Sequence, residues 1–164
     1  MFESTGFVMD AVVDATWLAV LGGALALASG MIGSVVGIGA AASAGTATLA
    51  EDPKQMRNVL VLAAMPTTQT FYGLIILIYI VLFATAPPMS FEQALKVFAA
   101  ALIGVAAEGP SAAFQGMICA SGIAMLPKTK GKIFVNAMML AVYAELIGIL
   151  GLVFTILALI LMPA

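Results

Sequence analysis

The chain has 164 residues and a net charge of −2; 63% of it is hydrophobic and only 9% is charged. No soluble domain of this size hides that much apolar surface, so the composition implies an integral membrane protein. With no histidine and a single cysteine, Cys119, it excludes imidazole chemistry, an internal disulfide and any CxxC site, and its six basic residues make no face for nucleic acid.

Residues 1–16 read as a polar lead-in. Positions 1–14 hold Glu3, Asp10 and Asp14 but no Lys or Arg, so they lack the basic start of a signal peptide. An apolar segment at 17–50 ends in Glu51-Asp52-Pro53-Lys54-Gln55-Met56-Arg57. A second, at 58–86, runs into the softer break Ala86-Pro87-Pro88-Met89-Ser90. A third covers 91–126; Pro127-Lys128-Thr129-Lys130-Gly131-Lys132 separates it from a fourth at 133–162. Each is longer than the roughly 20 residues a helix needs to cross a bilayer. The reading is an all-α membrane protein with four transmembrane helices, the first and third long enough to protrude. Five of the six basic residues (Lys54, Arg57, Lys128, Lys130, Lys132) fall in the breaks at 51–57 and 127–132. The positive-inside rule makes those loops cytoplasmic and puts both termini and the Pro87-Pro88 turn outside.

The segments pair into two antiparallel hairpins, 17–86 and 87–164, that look like copies of one another. Ser34, Gly39 and Gly45 match Ser111, Gly116 and Gly122 at an offset of 77, and Gly73 matches Gly151 at 78, one extra residue in the second loop accounting for the difference. At that offset Glu145 falls opposite Thr67, so the duplicated chain has one acid at this position instead of two. The first segment is rich in small residues, from Gly30, Gly33 and Gly37 to Ala40, Ala41, Ala42, Ser43, Ala44 and Gly45. Small residues let helix backbones meet in a membrane, and here they cover nearly the whole circumference, as a helix packed on several sides in a tight ring requires. Gly37-Ile38-Gly39 follows no strand and is no nucleotide loop.

Glu145 is the only charge after Lys132. A carboxylate in mid-membrane is costly and marks an ion or proton pathway. In the second segment Met65, Thr68, Gln69 and Tyr72 follow i, i+3, i+4, i+7 spacing and share one helix face. Pro66 cannot donate to the carbonyl of residue 62 and predicts a kink there. Gln115 lies in the third segment. If these faces converge, they offer one carboxylate, two amide oxygens, hydroxyls of Thr68 and Tyr72, and the Met65 carbonyl. Such hard oxygen donors around a single negative charge suit a monovalent cation, Na⁺ above all, with H⁺ the simpler alternative. Polar groups of this kind also serve simply as glue between helices. Glu108, two turns before Gln115 on the same face, is a candidate secondary acid: a second site, a lumen-facing acid or a protonated structural carboxyl. Glu92 and Lys96, four apart, read as a solvated helix end.

Taken together, Pro66-Thr67-Thr68-Gln69 with Tyr72-Gly73, then Gln115-Gly116, then Ala144-Glu145 with Gly148 and Gly151, resemble the duplicated proteolipid, or rotor-ring subunit, of bacterial and archaeal V-type (A/V-type) rotary ATPases, sodium-binding type. The resemblance covers about 17–162. It implies Na⁺ ligand roles for the Met65 carbonyl, Thr68, Gln69, Gln115 and Glu145, and for Tyr72 a hydrogen bond that locks the carboxylate. It implies a ring of identical copies in lipid, a membrane stator subunit that supplies an arginine, and central-stalk subunits docking at 51–57 and 127–132. ATP chemistry would occur in a separate head, with no organic cofactor in this chain, and the setting would be a prokaryotic plasma membrane. Thr67 departs from the family pattern, where glycine is common, and Glu108 is not part of it. Three other readings stand beside this one: the same rotor carrying H⁺, a small four-helix exporter with one essential glutamate, and a purely structural membrane protein.

Overall fold

The computed structural model describes residues 14–162. Most of the polar lead-in, with Glu3 and Asp10 and the signal-peptide question, lies outside the described residues. Among the described residues every regular element is helical, and four stretches are long and apolar enough to cross a membrane.

Helix α1, Thr16–Glu51, runs 36 residues without a break. At 1.5 Å per residue that is roughly 54 Å, well beyond the ~30 Å hydrocarbon core. The first polar break then turns out to be almost entirely helical, which corrects the reading of 51–57 as a loop. Only Asp52 is extended (φ −138°, ψ 91°), and Pro53–Gln55 already forms a 3₁₀ turn leading into α2, Met56–Ala64. The cause is local. Asp52 accepts hydrogen bonds from the Lys54 N–H (3.1 Å) and from Gln55 Nε2 (2.9 Å), while Pro53 occupies a position whose N–H would be orphaned anyway. These bonds, that from Gln55 foremost, hold the Asp52 carboxyl below the usual aspartate range.

A 3₁₀ turn, Met65–Thr67, separates α2 from α3, Thr68–Tyr79, and α3 closes in a wider π turn, Ile80–Ala84. The interruption falls where Pro66 removes a donor. Thr67, where the family pattern favours glycine, has ordinary right-handed dihedrals (φ −80°, ψ −21°), and its hydroxyl bonds the Ala64 carbonyl at 2.7 Å. Helix α4, Phe91–Ala124, starts in a capping box between Ser90 and Gln93 and carries Pro110 in its interior. A short α5, Leu126–Thr129, and a left-handed turn at Lys130 (φ 52°) and Gly131 (φ 81°) lead into α6, Phe134–Leu161. Here too much of the predicted loop at 127–132 is helical.

Helices α1 and α4 touch backbone to backbone. A Cβ added at Gly33 would lie 2.1 Å from the Gly109 carbonyl oxygen, and one at Gly116 would lie 2.1 Å from Gly37 Cα. No other residue fits at such a crossing. Helix α3 packs against α1, and α6 against α4. One apolar cluster joins Ala19, Ala26, Ile76, Ile80 and Ala101; another joins Ala41, Val59, Leu62, Cys119, Ile123 and Ala141. Met65, Thr68, Gln69 and Tyr72, then Glu108 and Gln115, then Glu145 fall between these two clusters along their helices, so they occupy the middle of the bundle.

Candidate ion site

The 3₁₀ turn positions the first part of the site. It ends at Thr68, whose N–H bonds the Met65 carbonyl and whose hydroxyl lies 3.3 Å from that same oxygen. The hydroxyl is also 3.1 Å from Gln69 Oε1. Gln69, fully buried on the inward face of α3, uses its amide nitrogen twice: it donates to Gln115 Oε1 at 2.9 Å and to Ser111 Oγ at 3.1 Å. Gln115, equally buried on α4, passes its own Nε2 hydrogen to Glu145 Oε2 at 3.1 Å. Tyr72, one turn after Thr68, donates its hydroxyl to Glu145 Oε1 at 3.3 Å. All six positions read from the sequence are therefore brought into one connected network spanning α3, α4 and α6, with a donor on each carboxylate oxygen.

Glu145 is half-buried at the α6 surface, between the exposed apolar side chains Val142, Tyr143, Leu146 and Ile147. No Lys or Arg lies within α1, α3 or α6, and the one in α4, Lys96, is paired with Glu92 at 3.0 Å near the helix start. Both hydrogen bonds to the carboxylate therefore come from neutral groups, Tyr72 and Gln115, and bring no positive charge to it.

Ser111 is a member that sequence reasoning noticed only as a repeat match. Its hydroxyl accepts from Gln69 and donates to the Ala144 carbonyl at 2.7 Å. It therefore ties the backbone next to Glu145 to the amide pair. The repeat partner Ser34 accepts instead from Thr70 at 2.8 Å. The only available signal was a hydroxyl one helical turn before Gln115. Glu108 lies outside the network: it is fully buried, and no hydrogen-bond partner reaches either oxygen.

Tyr72→Phe keeps the ring and removes one donor to Glu145. One neutral donor to a charged group contributes roughly 1.5–3 kcal/mol, so ion affinity should fall about ten- to a hundredfold while the protein stays folded. Calorimetric titration of the purified protein reads this; an unchanged affinity would show the tyrosine idle.

The family model for the C subunit of ATP synthase matches the chain twice, at residues 21–80 and 97–158, which is one match for each predicted hairpin. The K subunit of the A-type ATP synthase of Methanocaldococcus jannaschii is 33% identical over 149 residues, 90% of this chain and 64% of the relative, so the chain spans just under two thirds of that protein's length. The K subunit of the V-type sodium ATPase of Enterococcus hirae is 34% identical over 145 residues, covering 85% of this chain and 88% of the relative. The twofold match and the four apolar helices lead to one conclusion: the chain belongs to the family of ATP synthase C subunits, as a member with the family unit duplicated in a single polypeptide.

Proposed function

We propose that the chain is the ion-carrying rotor subunit of a V-type rotary ATPase, that its copies close into a membrane ring, and that each copy carries one Na⁺ at Glu145. The single observation behind this is the Glu145 network, in which one carboxylate takes donors from Tyr72 and Gln115 on its two oxygens, and Gln115 links it through Gln69 to the oxygens of Thr68 and Met65. One negative charge with neutral oxygens balances a monovalent cation. The Enterococcus hirae relative, part of a V-type sodium ATPase by name, supports sodium as that cation.

The mechanism follows from where the charge sits. A ring turning in a bilayer carries each site past lipid, and a bare carboxylate facing lipid is penalised by several kcal/mol or more. Glu145 must therefore be neutral there, ion-bound or protonated. Since no cation among the described residues approaches it, the group that displaces the ion belongs to a partner, an arginine of the stator. The subunit is non-catalytic; ATP chemistry takes place elsewhere in the complex. The turn at Asp52 and the Lys128–Lys132 region form the cytoplasmic face that meets the central stalk, and the setting is a prokaryotic plasma membrane with both termini outside.

The duplication itself supports the ring. Within one copy, Gly33 and Gly37 of α1 meet Gly109, Ala112 and Gly116 of α4. Applying the 77-residue offset once more maps α1 onto α4 and α4 onto the α1 of a neighbouring copy. Pro110 and Phe114 of one copy should then meet Ile32, Val35 and Gly39 of the next. In the single chain Ile32 is 67%, Val35 70% and Phe114 60% exposed, and nothing lies within 4 Å of a Cβ at Gly39. That surface has the composition of a helix contact and no partner among the described residues of the single copy.

Carbodiimides modify protonated carboxyls in apolar surroundings. In purified protein Glu145 should be labelled as the pH falls, and Na⁺ should suppress the labelling. Labelling indifferent to Na⁺ would point to a rotor that carries H⁺. No labelling at any pH would remove Glu145 from the centre of the mechanism.

A further inference from the structure

The ion network does not absorb Glu108. Its side chain has no exposed surface, and neither oxygen has a hydrogen-bond partner among the described residues. The carboxyl fills a groove on α6 left by two glycines. A Cβ at Gly148 would sit 3.0 Å from Glu108 Oε2 and 3.0 Å from Ser111 Oγ; one at Gly151 would sit 3.4 Å from Glu108 Oε1. Glu108 and Ser111 thus flank a single point on the α6 backbone, one turn from Glu145.

We propose that Glu108 is a second acid site of the protein, that its occupant is a proton and not a metal ion, and that it stays neutral while Glu145 carries its cation. Three observations converge. First, the charged form has nothing to hold it. A buried carboxylate without donor or counter-ion is among the costliest groups a membrane protein could contain. The titratable groups on the elements around it are Glu145 and Tyr143 on α6, Tyr72 and Tyr79 on α3, and Cys119 on α4, none of them basic, and α1 offers none before Glu51. Lys96 is 12 residues away along α4, about 18 Å, and already paired. Second, the hydroxyl hydrogens of the two nearest side chains on α4 and α6 are committed elsewhere and cannot hold an ionised carboxylate. Ser111 Oγ donates to the Ala144 carbonyl and accepts from Gln69, and Thr155 Oγ1 donates to the Gly151 carbonyl at 2.8 Å. Third, the carboxamide oxygens serve only one metal ion. The Glu145 network already uses the amides of Gln69 and Gln115, and the described residues hold no second set of that kind facing Glu108.

The inference rests on α4 and α6 lying in the membrane, and it holds whichever ion Glu145 carries. Infrared spectroscopy of the purified ring at neutral pH with saturating Na⁺ tests it, because a protonated carboxyl has its own carbonyl band. Wild type should show the band, Glu108→Gln should lose it, and Glu145→Gln should keep it. The last variant leaves Glu108 as the sole intramembrane acid and needs no Glu108 variant to fold. Sodium titration should find one Na⁺ per chain in wild type, with affinity in Glu108→Gln within about threefold. An ionised Glu108 would instead make that substitution cost tenfold or more, and no band would appear in Glu145→Gln. Two Na⁺ per chain, with one lost in Glu108→Gln, would overturn the proposal in favour of a second metal site. Absence of Na⁺ binding in wild type would count against sodium at Glu145 alone; two carbonyl bands would then be present, and Glu108→Gln should remove one.

Discussion

Glu145→Gln should abolish ion transport while leaving the fold in place. Glutamine retains the shape; its oxygen can accept from the Gln115 amide and its NH2 can donate to the Tyr72 hydroxyl oxygen, so the three helices stay bridged. What disappears is the only negative charge that the network holds out to a cation. Removing one partner of a buried ion pair costs about 3–5 kcal/mol, so Na⁺ affinity should fall at least a hundredfold, and transport in reconstituted vesicles should drop to background. Transport of radioactive sodium by the reassembled complex, set beside thermal unfolding of the same variant, separates lost function from lost structure. Retained transport would return the chain to the purely structural reading.

The second large effect concerns two glycines that the repeat makes equivalent and the structure does not. A Cβ at Gly116 would lie 2.1 Å from the Gly37 backbone, a distance that atoms cannot share. Gly116→Leu must push α1 and α4 apart along the crossing that positions Gln115. Overpacking of this kind costs about 3 kcal/mol or more, and the protein should unfold or fail to insert. Gly39→Leu, 77 residues earlier, meets nothing within 4 Å and should leave the single copy as stable as wild type. If Gly39 faces a neighbouring copy, the same substitution should stop the ring from closing. Light scattering in mild detergent would then find small species for Gly39→Leu, folded by circular dichroism. A full-sized ring would move the contact between copies elsewhere.

Much of this was legible in the chain because membranes reduce the choices. The four spans follow from apolar length, and their observed limits differ from the expected ones by a few residues. The six network positions were visible because oxygen-bearing side chains are rare in such spans and recur at helical spacing. The turns were less legible. Residues 51–57 and 127–132 are polar and look like loops, yet capping by Asp52 and the αL pair Lys130-Gly131 compress each turn to a few residues. Capping depends on single hydrogen bonds, which composition does not reveal. Ser111 could not be told from any small helix residue, because its importance comes from the Ala144 carbonyl and Gln69 amide that other helices bring to it. For Glu108, sequence left three roles open. Complete burial removes the lumen-facing one within the single copy, something helical spacing alone does not decide.

The unbroken length of α1 has a mechanical side. Its 36 residues include the Gly33–Gly37 crossing and reach Asp52 with no hinge, and one extended residue returns the chain into the next helix. An α-helix is stiff along its axis, and a one-residue turn has almost no slack. A load applied at Asp52 would therefore reach the mid-membrane crossing as displacement and not be lost in bending a loop. Inserting a few glycines between Glu51 and Pro53 would leave the ion network untouched and convert a rigid strut into a tether.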